Sequence, residues 1–82
     1  MSKQSRGDEL VTIRVGKRGI TASLLNEIRR NLDKHKVVKV KLLRNFREVH
    51  RPEKYHLAKE VAEKVGAEVV YVRGFTFVLK KK

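Results

Sequence analysis

Val15-Gly16-Lys17-Arg18-Gly19-Ile20-Thr21 stands where an alternating run gives way to an amphipathic one, and its reading decides the fold. Before it, Leu10 to Val15 alternates, with Val11, Ile13 and Val15 on one side of an extended chain and Thr12 and Arg14 on the other. After it, Leu24, Leu25, Ile28 and Leu32 recur at helical spacing to about Lys34, and Thr21 is placed to cap that helix. The segment is thus a strand-to-helix loop in which two glycines bracket two cations. Glycine lets a backbone approach a ligand closely. The helix behind it offers unpaired N–H groups and the positive end of a dipole, which suit a phosphate. Lys17 and Arg18 add full charges at the same place. The segment reads as a loop for holding a sugar-phosphate backbone.

Working outward, Val37 to Leu42 alternates again, with Val38, Val40 and Leu42 inward and Lys39 and Lys41 outward. Residues 43–52 are expected to be a basic connection (Arg44, Arg47, Arg51) closed by Pro52. A second helix is expected from about Glu53 to Val65, burying Leu57, Ala58, Val61 and Val65 and stopped by Gly66. Glu68 to Val72 and Phe75 to Lys80 read as two strands joined tightly around Arg73-Gly74. Residues 1–9 read as a flexible polar tail, and residues 10–82 as one domain.

The order β-α-β-α-β-β predicts an α/β fold of the two-layer α+β kind. Right-handed crossovers join parallel strands and put both helices on one face of the sheet, leaving the other face open. The last strand, reached by a tight turn, must run antiparallel to the third. Alternation places Arg14, Lys39, Lys41, Tyr71, Arg73 and Lys80 on the open face.

Composition supports a polyanionic partner. The chain has 82 residues and a net charge of +12, so a small body repels itself unless something negative binds it. The charge is uneven: residues 53–66 carry three of each sign, whereas residues 37–52 carry a net +4. Such asymmetry marks a surface rather than general solubility. No apolar run suits a membrane, the N-terminus is polar, and cysteine is absent, so a cytoplasmic protein without disulfides or thiolate metal sites is expected.

Other signals carry less. Arg73 to Lys80 nearly matches the RNP1 octet but fails at Thr76 and Lys80 and lies at the wrong place in the order. Phe75, Phe77 and Leu79 are therefore expected in the core, and Tyr71 is the better stacking candidate. Gly16-Lys17-Arg18-Gly19 lacks the spacing of a nucleotide-binding loop. His35, His50 and His56 fall on different elements and read as solvated or capping residues. No nucleophile meets a base, so no enzyme, metal or cofactor is expected.

The chain resembles the CRM domain (chloroplast RNA splicing and ribosome maturation; YhbY-like). The likeness lies in Val15 to Thr21, in Leu25-Asn26-Glu27-Ile28, in His35-Lys36-Val37-Val38-Lys39-Val40, in Gly66-Ala67-Glu68-Val69-Val70 and in Arg73-Gly74-Phe75 leading to Val78-Leu79. It implies an RNA-binding fold like the C-terminal domain of bacterial initiation factor three, with a mixed four-stranded sheet ordered 1-2-4-3. It also implies association with precursor large ribosomal subunits in prokaryotes or with group II introns in plant chloroplasts, and a KH-like GxxG loop at Gly16, Lys17, Arg18 and Gly19; ribosomal RNA, and with it ribosomal proteins, are the partners expected here. Set against the family's pattern, the N-terminal helix that usually precedes the first strand is expected to be missing or reduced to Met1–Glu9.

The expected function is to clamp structured RNA for ribosome maturation. Gly16, Lys17, Arg18 and Gly19 take phosphates, Arg14, Lys39, Lys41, Arg73 and Tyr71 extend the track, and Arg29 and Arg30 flank it from the first helix. The alternatives are a small chromatin-type protein on duplex DNA, a protein–protein ribosome assembly factor, and an RNA-processing enzyme using His50 or His56.

Overall fold

Alternation in Val11–Val15 and Val37–Leu42 gives each strand one apolar side, and in this single sheet that side is buried under helices. The computed structural model describes residues 10–82; the polar tail and the reduced N-terminal helix expected at residues 1–9 lie outside the described residues. The elements are β1 (Val11–Val15), α1 (Ala22–His35), β2 (Val37–Leu42), α2 (Arg44–His50), α3 (Lys54–Val65), β3 (Ala67–Arg73) and β4 (Thr76–Lys81). The sheet order is β1-β2-β4-β3, as the resemblance implies. β1 and β2 are parallel, and β4 lies antiparallel to both β2 and β3.

The core forms between the sheet and α1 and α3. Ile13, Val15, Val38, Val40, Leu42, Phe77 and Leu79 come from the strands, and Ile28, Leu32, Ala58 and Val61 from the helices. Thr21 caps α1, its side-chain oxygen accepting the Leu24 N–H at 3.1 Å. Glu53 caps α3 in the same way, accepting from the His56 N–H. Gly66, in the left-handed region at φ 71°, ends α3 as its position predicts.

Two expectations are corrected. The basic connection contains a helix, α2, held by Phe46 in the core and by an Arg44–Glu48 ion pair one turn apart at 2.9 Å. Only one buried side chain anchors it, so no apolar stripe announces it. Phe75 is not a core residue: the turn between the last two strands is Gly74–Phe75, and Phe75 is 41% exposed. Phe77 and Leu79 share its sequence parity and are buried, but Phe75 falls one step beyond the sheet.

A further feature escapes the alternation. The β3–β4 ladder shifts register between Val69 and Tyr71, so β3 carries a bulge. Val69 turns to the helices and packs on the core, Val70 is exposed, and Tyr71 faces the open side opposite Val78.

Candidate nucleic-acid interface

The loop after β1 is a tight turn. The Gly19 N–H donates to the Gly16 carbonyl at 2.9 Å, and among the described non-glycine residues only Lys36 and Arg51 have positive φ. Lys17 and Arg18 therefore occupy the centre of a type I turn, with glycine in its favoured last position. Both side chains are exposed.

The two glycines differ in what requires them. Gly19 has φ 80°, and a Cβ there would stand 3.1 Å from His50 Nε2 and 3.4 Å from Phe46 Cε1. The fold itself demands it. Gly16 has no positive φ, and a Cβ on it would meet nothing within 4 Å. Neither backbone strain nor internal packing explains Gly16; what it provides is bare backbone toward the outside.

The turn is braced from α2. His50 Nε2 lies 3.0 Å from the Lys17 carbonyl oxygen, and its ring stacks on buried Phe46 with centroids 4.8 Å apart. The bond fixes the turn while leaving the Lys17 and Arg18 side chains outside. The sequence reading missed this brace because α2 itself is weakly signalled.

Strand registers order the open face into rows. Arg14 pairs with Lys41, Lys41 with Thr76, and Thr76 with Arg73. The row thus crosses all four strands in one line, about 14 Å long at a strand spacing of about 4.8 Å, with cations on three of them and Thr76 on β4. This row lies at the end of the sheet from which the glycine loop leaves. The next row is Thr12, Lys39, Val78 and Tyr71. Val78 is buried although it lies on the open face, and Tyr71 is exposed with the Arg73 guanidinium 5.9 Å from its ring centre. In the third row Lys80 pairs with Glu68, so the charge falls away from the loop.

The site residues expected from sequence therefore divide. Gly16, Lys17, Arg18, Gly19, Arg14, Lys41 and Arg73 gather at one end of the sheet, with Lys39 and Tyr71 one row behind. Arg29 and Arg30 stand apart on α1, in the helical layer. Arg29 donates to the Lys64 carbonyl and to Asn26 Oδ1, both at 2.7 Å, and so ties α1 to the end of α3.

Around the same end lie groups the sequence reading did not assign. The Arg47 guanidinium sits 4.4 Å from the Phe75 ring centre and the Lys54 ammonium 5.3 Å from it. On the helical side, Arg18, Ile20, Phe46, His50, His56 and Leu57 line part of a cleft of about 430 Å³. Among the described residues no group of three or more His, Cys, Asp or Glu side chains is placed to hold a metal, and no helix is long and apolar enough to cross a membrane. The arrangement can bind anions.

Comparison with known proteins follows the same line. The sequence profile of the CRS1 / YhbY (CRM) domain matches residues 5–81. No curated protein matches the chain. Four chains of solved structures do match. One is the solution structure of hypothetical protein SAV1595 from Staphylococcus aureus, for which RNA binding has been suggested. It is 28% identical, with a TM-score of 0.65 over 84% of this chain and 68% of that one.

Proposed function

This chain belongs to the CRS1 / YhbY (CRM) domain family, and on that premise we propose that it binds structured RNA by its backbone and works in ribosome maturation on precursor ribosomal RNA. The observation that carries the reading is Gly16, a glycine that nothing inside the molecule requires, set beside Lys17 and Arg18 and next to the Arg14–Lys41–Arg73 row. A phosphate approaches the bare turn, the two side chains neutralise it and its neighbour, and the row carries the strand onward across the sheet. The Gly19 N–H is taken by the turn, so that residue shapes the loop rather than contacting the ligand. The action is positional, a binding protein rather than an enzyme, in the cytoplasm where ribosomes are assembled. Contacts of this kind read shape more than sequence.

A titration of ribosomal RNA fragments and matched duplex DNA at several salt concentrations tests the proposal. Wild type should prefer RNA. Lys17→Ala with Arg18→Ala should weaken RNA binding, leave the thermal melt unchanged, and flatten the dependence of log affinity on log salt by roughly 1.4 for single-stranded contacts. Unchanged affinity and slope would remove the loop from the interface. Equal binding to both nucleic acids, insensitive to the loop, would favour the chromatin-type alternative.

A further inference from the structure

Phe75 is a large apolar ring held outside the core, and two cations stand over it. Gly74 at φ 58° turns the chain so that Phe75 leaves the sheet, and the Leu42 N–H donates to the Phe75 carbonyl at 2.8 Å, fixing its backbone. Arg47 from α2 lies over the ring, and Lys54, the first residue of α3, approaches it. The Arg47 Nε is buried and has no hydrogen-bond partner among the described residues. Glu48 pairs with Arg44, and Glu53 caps α3 through the His56 N–H. Among the described residues no carboxylate lies within ion-pair distance of Arg47 or Lys54. The next residue, Thr76, belongs to the Arg14–Lys41–Arg73 row on the open face, so the cluster stands at the same end of the sheet, on its helical side.

We propose that Phe75, with Arg47 and Lys54, is a stacking platform for one unpaired nucleobase and its phosphate. This rests on the RNA-binding reading above. A nucleotide supplies a flat π-face for the ring and guanidinium, and an anion for two cations that have no ion-pair partner among the described residues. A base paired within a duplex keeps its faces covered by its neighbours, so the ligand is a looped-out or single-stranded nucleotide. The protein thereby distinguishes interrupted RNA from continuous helix, a selection that phosphate contacts alone do not make.

The test compares an RNA hairpin bearing an unpaired loop with a blunt RNA duplex of equal charge, using wild type, Phe75→Leu and Phe75→Trp. Phe75→Leu should lose roughly tenfold or more on the hairpin and less than about twofold on the duplex. Phe75→Trp should bind the hairpin like wild type, and its indole, the only one in the chain, should be quenched on binding. Equal losses on both RNAs, or none on either, would overturn the platform, as would an acidic peptide competing better than the hairpin. If Lys17→Ala with Arg18→Ala still weakens RNA binding in that case, the RNA-binding reading stands without the platform. If wild type binds neither RNA, both fall.

Discussion

At the residue scale, the two loop glycines separate stability from binding. Gly16→Ala meets no strain and no neighbour, so it should stabilise the fold by about 0.4–1 kcal/mol through the unfolded state. Its methyl group would stand where the phosphate approaches, so RNA affinity should fall. Gly19→Ala must hold a left-handed conformation and displace His50, costing about 1–2 kcal/mol or more. Denaturation midpoints and RNA titrations of the two variants check both; a Gly16→Ala protein that binds normally would argue against close approach at that residue. The pairing of these glycines with Lys17 and Arg18 is legible in the sequence. Their different roles are not, because Gly19 is constrained by His50, a residue from another helix. Phe75 is misread for a related reason: its parity matches Phe77 and Leu79, and only the place of the turn distinguishes them.

At the element scale, alternation and caps carry most of the information. β1, β2, α1 and α3 follow from residues such as Ile13, Val40, Thr21 and Gly66, whose roles are local. α2 does not, since one buried Phe46 makes no periodic stripe. The bulge in β3 is also hidden, because Val69, Val70, Tyr71 and Val72 form an unbroken apolar run with no alternation to interrupt. The far end of the sheet offers a pH test. Lys81 of β4 donates to Asp33 near the end of α1, and that hydrogen bond, aided by the Lys81 charge, holds the Asp33 carboxyl below its ordinary 3.8. A carboxyl depressed in the folded state contributes stability above its unfolded pKa and loses it as pH falls through the folded value. Asp33→Asn should therefore be less stable than wild type at neutral pH, and the gap should close in acid. Urea midpoints measured at both pH values check this; a gap independent of pH would assign the effect to something other than the ion pair.

At the scale of the whole molecule, the net charge of +12 sets stability and affinity against each other. Salt screens the mutual repulsion of the cations and should raise the melting temperature, while it should lower RNA affinity by competing at phosphate contacts. Melts and titrations across one salt series would check the opposition; a melting temperature that falls with salt would mean that attractive pairs such as Arg44–Glu48 outweigh the repulsion. The strand order has a consequence in time. β4, the last strand in the chain, lies between β2 and β3, so it joins the two halves of the cationic row. A ribosome making this protein releases β1, β2 and β3 before the strand that unites them. On the proposed reading, the growing chain presents no continuous cationic row to RNA until the six-residue β4 has emerged.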